Sequence, residues 1–182
     1  MTTMKSMRPA IRPATSLDIE ALRSVIARAN EGHRGAVRDG LFEAYLASAL
    51  DVAGRLQAGE VLVAEVDGRI AGTITLYMDA NDEGMPSRFP SKTAGIRATA
   101  VDPSARGQGI GRALVDACIQ RATAAGLSRV ALHTADFMVA AVAVYEKAGF
   151  RRAPEYDYRA GDYFVSDALD DLKAIAYVRS IP

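Results

Sequence analysis

The stretch Ile96 to Arg112, IRATAVDPSARGQGIGR, restricts the possible folds of this chain more than any other. Its first half reads as a strand, Ile96 to Val101, and Asp102-Pro103 turns the chain out of that strand. Gly107, Gly109 and Gly111 then open a loop that leads into a helix with apolar periodicity. A glycine-rich passage from strand to helix lets several backbone N–H groups, left without intrahelical partners, converge on one point. Such amides, together with the helix dipole, favour an anion, and Arg106 and Arg112 flank the point with positive charge. The ligand predicted for this corner is phosphorylated.

The rest of the chain falls into place around it. Residues 1 to 8 read as a flexible leader, and Ala10 to Pro13 as a short edge strand. Helical periodicity then covers Ser16 to Asn30, with caps offered by Thr15, Ser16 and Asp18, and again from about Ala36 to Gln57, with a kink expected near Gly54. Two β-rich runs, Glu60 to Val66 and Arg69 to Met78, are joined by Asp67-Gly68, a strong two-residue hairpin signal. Asp79 to Lys92 is polar and punctuated by Gly84, Pro86 and Pro90, so it reads as an exposed loop. Beyond it come a strand from Thr93 to Val101, a helix from Gly111 to Ala125 stopped by Gly126, a strand from Arg129 to His133, and a helix from Val139 to Ala148 closed by Gly149. A strand starts at Phe150 to Arg152, and a last one runs from Leu172 to Ser180. Alternating strands and helices in this half, after an antiparallel hairpin in the first, predict an α/β chain with a mixed sheet.

Size and charge narrow the function. A chain of 182 residues, 49% hydrophobic, can bury a core as a single domain, here residues 9–182, without metals or disulfides. Its formal net charge is zero, which argues against bulk nucleic-acid binding and against adhesion to an anionic membrane. No apolar run approaches the roughly 18–20 residues that cross a bilayer. The N-terminus lacks the apolar core of a secretory signal, and Cys118 has no partner for an internal disulfide, so a cytoplasmic protein is expected.

Spacing separates the phosphate-binding patterns. A P-loop needs a Lys-Ser or Lys-Thr pair after its last glycine, and none follows here. The dinucleotide fingerprint needs a third glycine at position 112, which is Arg. What stands is Arg106-Gly107-Gln108-Gly109-Ile110-Gly111, and this resembles the R/Q-x-x-G-x-G/A motif of the GNAT acetyltransferase superfamily. A second stretch, Tyr145-Glu146-Lys147-Ala148-Gly149-Phe150, resembles that family's other hallmark, and the order of elements agrees along most of the chain.

The resemblance implies a three-layer fold, a mixed and partly splayed sheet flanked by helices, and acetyl-coenzyme A as co-substrate with no metal. It implies that Thr99, Ala100 and Val101 lie where the central strand parts from its neighbour, pair with the pantetheine arm and steady the thioester carbonyl, and that Arg106, Gly107, Gln108, Gly109, Ile110, Gly111 and Arg112 hold the pyrophosphate. It places Tyr145 as the general acid for the departing thiolate; a core tyrosine with a satisfied hydroxyl is the alternative. Two departures stand out. Gly95-Ile96-Arg97 occupies the place where many relatives carry an acidic residue, and Met138 the place of a frequent Asn.

The general base is therefore open among Asp79, Glu83, His33, His133 and a water chain, with His133 more readily a structural residue and His33 a solvated turn residue. Cys118 falls on the apolar face of its helix, which argues against an acetyl-cysteine route. The acceptor, a small-molecule or peptide amine, is expected among the region 31–39, the loop 79–92 and the segment 155–167. Glu155, Asp157, Asp162 and Asp167 of that last segment would attract a cationic amine, or form only a solvated charged face. A non-catalytic acyl-coenzyme A sensor or regulatory module is the rival reading, and a homodimer would pair through the last strand.

Overall fold

A computed structural model describes residues 9–36, 39–83, 88–135, 137–159 and 172–182. The leader 1–8 lies outside these residues, as do Asp162, Tyr163, Phe164 and Asp167 of the acidic segment.

The chain opens with strand β1 (Ala10–Pro13), and Thr15 then caps a short 3₁₀ turn, its hydroxyl accepting from Leu17 N while the Asp18 carboxylate accepts from Thr15 N. Helix α1 (Ile19–Asn30) follows, burying Leu22, Val25, Ile26 and Ala29. The single kinked helix expected over 36–57 is two helices, α2 (Asp39–Leu50) and α3 (Val52–Ala58). The break falls at Asp51 rather than at Gly54. Asp51 leaves helical geometry so that its carboxylate can accept from Gly54 N at 3.0 Å, and Gly54, without a Cβ, lets it close in.

Strands β2 (Glu60–Val66) and β3 (Arg69–Tyr77) form the expected hairpin, with Asp67 and Gly68 at φ 50° and 72°, as a tight two-residue turn requires. The connection to β4 (Thr93–Val101) is less exposed than its polar composition suggests. Ala80 and Phe89 are buried there, with Phe89 packed on His133 and Tyr156, because one aromatic ring is enough to anchor a polar loop.

Helix α4 (Ile110–Ala124) and strand β5 (Arg129–Ala135) come next, then α5 (Val139–Lys147), β6 (Arg151–Arg152), β7 (Tyr158–Arg159) and β8 (Lys173–Ser180). The strands form one sheet in the order β1-β2-β3-β4-β5-β8-β6, with β7 also on β8. Among the described residues only β4 and β5 run parallel; the remaining pairs are antiparallel. The final strand is interior, taken by β5 on one side and by β6 and β7 on the other, so a copy of the chain would find little of it open for pairing.

Alternation along the strands sends apolar residues to both faces of the sheet. Leu62, Ile74, Leu76, Ile96 and Leu132 face α4 and α5, where they meet Leu114, Val115 and Phe150. Val61 and Val63 point the other way, onto Leu22, Ile26 and Val52. Truncating one of these fully buried residues, Leu114→Ala for instance, removes about 2–5 kcal/mol.

The sheet is splayed at its centre. Parallel pairing of β4 with β5 runs from Thr93↔Arg129 to Ile96↔Leu132 and then stops, while β5 stays paired with β8 as far as Ala135↔Ala174. Opposite β3 the register slips, Thr75 facing Arg97 and Thr73 facing Ala100, so β4 carries one extra residue. That bulge holds Ala98 at φ 53°, an unusual value for a residue with a Cβ. The strand bends away from β5 at this point. The described residues contain no helix long and apolar enough to cross a membrane.

Candidate active site

The corner after β4 is fixed by side chains that make no other obvious contribution. Asp102 Oδ1 accepts from Ser104 N and Ser104 Oγ at 2.9 and 2.7 Å, and its Oδ2 accepts from Arg28 Nε and Nη2 at 3.0 and 2.6 Å. The Ser104 hydroxyl and the Arg28 guanidinium hold this carboxyl down at about 2. Arg106 Nη2 donates to the Ala29 carbonyl at 2.8 Å, which ties the loop to the end of α1 a second time.

From there the main chain takes over. Gly107 and Gly109 both sit at φ 78°, which a side chain would strain, whereas a Cβ on Gly111 would meet Val101 at an ordinary 3.6 Å. Gly109 begins α4 with no side-chain cap. Within the described residues, no protein acceptor takes the amides of Gly107 through Arg112, while the Gly109 carbonyl accepts from Ala113. No atom beyond those of the adjoining residues lies within 4 Å of where a Cβ on Gly107 or Gly109 would stand.

The two arginines point elsewhere. Arg106 is spent on Ala29 O, and Arg112 donates from Nε to both Asp116 oxygens at 2.9 and 2.8 Å and from Nη1 to Lys147 O at 2.8 Å. Both belong to the corner through their backbone; their guanidinium groups brace the loop and join α4 to the end of α5.

Tyr145 reaches the splayed strand from α5. Gly149, at φ 86°, ends that helix, and Phe150 N donates to Tyr145 O at 3.0 Å, closing a Schellman turn. Such turns bring the residue after the glycine onto the residue five places earlier, and the Phe150 and Tyr145 rings pack edge to face at 5.9 Å. The Tyr-x-x-x-Gly-Phe spacing is thus a helix stop that also locks a tyrosine in place. Its hydroxyl donates to Thr99 Oγ1 at 3.0 Å, one residue past the bulge. Burial pushes the phenol up to about 12, against a smaller opposite effect of the Thr99 bond. Tyr145 and Thr99, two residues singled out by sequence, meet; Ala100 packs instead with Leu22 and Ile26, and Val101 against the α4 core.

On the other side of the splay the residues come from distant segments. Met138 starts α5 and is buried, its Sδ approached by Thr134 Oγ1 at 3.6 Å and by Tyr45 Oη at 4.0 Å. One turn along α2 from Tyr45, Ser48 Oγ accepts from Arg97 Nη2 at 2.8 Å. His33 is not a solvated turn residue: it is half-buried against the edge of Phe137 at 5.6 Å, and burial, followed by the field of Arg106, lowers its pKa.

Two other base candidates, His133 and Asp79, have local partners. His133 holds Tyr156 O at 2.9 Å and lies between Phe89 and Tyr158, with burial the main cause of its lowered pKa. Asp79 accepts from Asn81 N and Nδ2. The Glu83 side chain lies outside the described residues. Asp157 of the acidic segment is bound by Arg152 at 2.8 and 2.7 Å and by Ala176 N at 2.8 Å. Burial works to raise its pKa, yet those bonds and the charges of Arg152 and Lys173 outweigh it and lower it. Cys118 is fully buried, and desolvation pushes its thiol up to about 12, far from a reactive thiolate.

Sequence reasoning missed Tyr45 and Ser48. Tyr45 falls within the helical periodicity of 36–57, and nothing local marks a serine that meets a strand 49 residues away.

Known proteins resemble this chain in sequence and in fold. The chain is 38% identical over 96 residues to the mycothiol acetyltransferase of Sanguibacter keddieii, a match covering 53% of this chain and 29% of that protein. It is 31% identical over 125 residues to N-acetyltransferase family 8 member 3 of Rattus norvegicus, covering 61% and 51%. These matches span about a third to a half of the relatives' own length. Among solved structures, the PaiA N-acetyltransferase of Thermoplasma acidophilum in complex with coenzyme A superposes with a TM-score of 0.68 at 14% identity, over 96% of this chain and all of that one. The ribosomal-protein-S18-alanine N-acetyltransferase of Escherichia coli gives 0.63 at 20% identity, over 95% and 94%. Residues 21–150, containing the splayed strand, the glycine corner and the Tyr145 turn, match the model of the Acetyltransferase (GNAT) family, and the chain belongs to that family.

Proposed function

We propose that this chain transfers an acetyl group from acetyl-coenzyme A directly to the amine nitrogen of a small molecule or peptide. The observation that carries the reading is the run of uncommitted amides from Gly107 to Arg112 beside a strand that has let go of its neighbour. A pyrophosphate suits the first, and an extended amide-bearing arm suits the second. On this reading Thr99, Ala100 and Val101 pair with the pantetheine arm. The main chain of Arg106, Gly107, Gln108, Gly109, Ile110, Gly111 and Arg112 holds the diphosphate.

When bound, acetyl-coenzyme A supplies an acetyl group activated as a thioester. The chain's part is to aim it and to manage protons. Backbone N–H groups near Val101 steady the carbonyl oxygen as charge gathers on it. Tyr145 Oη, which remains protonated because of its burial, holds the proton that the sulfur needs when the C–S bond breaks and the N–C bond forms. With Arg97 in the place of a carboxylate, the acceptor arrives as the neutral amine, and its surplus proton leaves through water. The acetyltransferase names borne by the curated relatives support the reading.

The test is release of free coenzyme A thiol from acetyl-coenzyme A across a panel of amines. Amine-dependent release is expected. Saturable acetyl-coenzyme A binding with no release for any amine would favour the sensor reading instead.

A further inference from the structure

One turn of chain joins the two banks of the splay. β4 and β5 run parallel, so the corner after β4 and the residues after β5 stand at the same end of the sheet, on either side of the gap that opens past Ile96↔Leu132. Ligands collect in the crevice beyond the carboxyl ends of parallel strands. On the β4 bank, Asp102 holds Arg28 and Arg106 donates to Ala29 O, which fixes the last turn of α1 against the corner. The chain then makes the 3₁₀ turn Glu31–His33, and the His33 ring meets Phe137, the second residue past the end of β5.

The turn is braced, and the bracing leaves the imidazole uncommitted. Arg34 N donates to Glu31 O at 3.1 Å and Ala36 N to His33 O at 3.0 Å. The Arg34 guanidinium binds Glu31 on its own turn and Glu43 on α2, so these charges are engaged with one another. From the corner, Arg106 is the described charge that acts on the ring, and together with the larger effect of burial it favours the neutral imidazole. Neither ring nitrogen of His33 makes a hydrogen bond with a described residue; the ring is held by its edge contact with Phe137 alone. His133 and Asp79 differ in this respect, since both have partners.

Acetyl transfer calls for such a group. The nitrogen that attacks the thioester must lose a proton as the N–C bond forms, and the segment Gly95-Ile96-Arg97 of β4 offers no carboxylate to take it. We propose that His33 is the base that takes this proton, through one water, and passes it on to solvent. The inference rests on the acetyl-transfer reading. The protons balance: one leaves the nitrogen for the His33 ring, one leaves Tyr145 Oη for sulfur as the C–S bond breaks, and exchange with water returns both side chains to their starting forms. A histidine kept neutral near neutral pH is suited to that task.

The experiment measures amine-dependent thiol release from acetyl-coenzyme A by the full chain and its variants. His33→Gln, which keeps a polar side chain, and His33→Phe, which keeps a ring against Phe137, are both expected to lower kcat/KM for the best amine by about 100-fold. Acetyl-coenzyme A affinity by calorimetry is expected to stay within about threefold of wild type in both. Wild-type kcat is expected to fall on acidification through a pKa below the ordinary histidine value of about 6.5, as the ring takes up a proton, and this limb is expected to vanish in both variants. Added imidazole is expected to raise the rate of His33→Ala by about fivefold or more and to leave wild type unchanged. Activity retained in His33→Phe would make the ring a spacer and overturns the proposal, as does an acid limb that persists unchanged in the variants. Acetyl-coenzyme A affinity lost in step with rate would make His33 a prop of the corner, and overturns it too. If wild type releases no thiol with any amine, the acetyl-transfer reading fails and this inference with it, whereas release insensitive to His33 defeats the inference alone.

Discussion

The glycine corner and the far side of the splay flank the same bent strand, yet they are made of different material. The corner, from Asp102 to Arg112, is contiguous in sequence and presents main-chain amides, with its arginine side chains engaged by Ala29, Asp116 and Lys147. The far side of the splay is assembled from α2, the start of α5 and β4, and presents side chains: Tyr45, Ser48, Arg97, Met138. A diphosphate looks the same in every acetyl-coenzyme A, so backbone geometry suffices to bind it. An acceptor differs from one enzyme to the next, and only side chains can be exchanged without rebuilding the chain.

That contrast can be broken most sharply at Tyr145, which stands between the two regions. Tyr145→Phe should lower kcat by about 100-fold or more, while calorimetry finds acetyl-coenzyme A affinity within about threefold of wild type. Comparable loss in both would make the tyrosine a packing residue of the corner. The pH dependence sharpens the same point. The phenol is the proton-bearing form and burial pushes it up to about 12, so kcat should not fall through loss of its proton between about pH 8 and 10. An alkaline fall in that range that vanishes in Tyr145→Phe would contradict the burial.

Next in size is a change to the corner itself. Gly109→Val places a β-branched residue at φ 78°, at a strain of roughly 1–2 kcal/mol, and crowds the amides. Acetyl-coenzyme A should then bind about 30-fold more weakly or worse, whereas Gly111→Ala, which meets Val101 at 3.6 Å, should stay within about threefold. Equal effects at the two glycines would mean that left-handed geometry is not what the loop needs.

The smallest expected effect is the most telling about backbone recognition. Arg112→Ala should raise the KM for acetyl-coenzyme A by no more than about threefold, since its guanidinium is engaged by Asp116 and by the end of α5. A loss above about tenfold would show that this arginine lets go of those partners for the phosphate. The corner would then be built like the far side of the splay.

Much of the fold was readable in the chain because its signals are local. Asp67-Gly68 dictates a hairpin through two positive φ angles, and Gly126 and Gly149 each end a helix at positive φ. The error at α2 and α3 shows the limit of such reading. Periodicity alone carried the helix through Asp51, and it took a competing side-chain cap on Gly54 N to break it there rather than at the glycine. The site divides along the same line. The glycine spacing and the Tyr145-to-Phe150 turn could be read because each is a short-range backbone device. The partners of Tyr45, Ser48 and Arg55 could not, since a stripe of apolar and small residues on a helix carries no mark of which strand it will cover.

By itself the sequence determined the order of strands and helices, the positions where the chain must turn left-handed, and the corner at which amides gather; all of these follow from the torsional limits of glycine and proline and from apolar periodicity. Only the tertiary structure decided that β4 leaves β5 after Ile96, that Tyr145 donates to Thr99, that two flanking arginines are spent as braces, and that Arg55 and Arg97 meet at Ser48. Those outcomes depend on packing between segments tens of residues apart, where each contact is chosen by all the others at once and no local rule can state it.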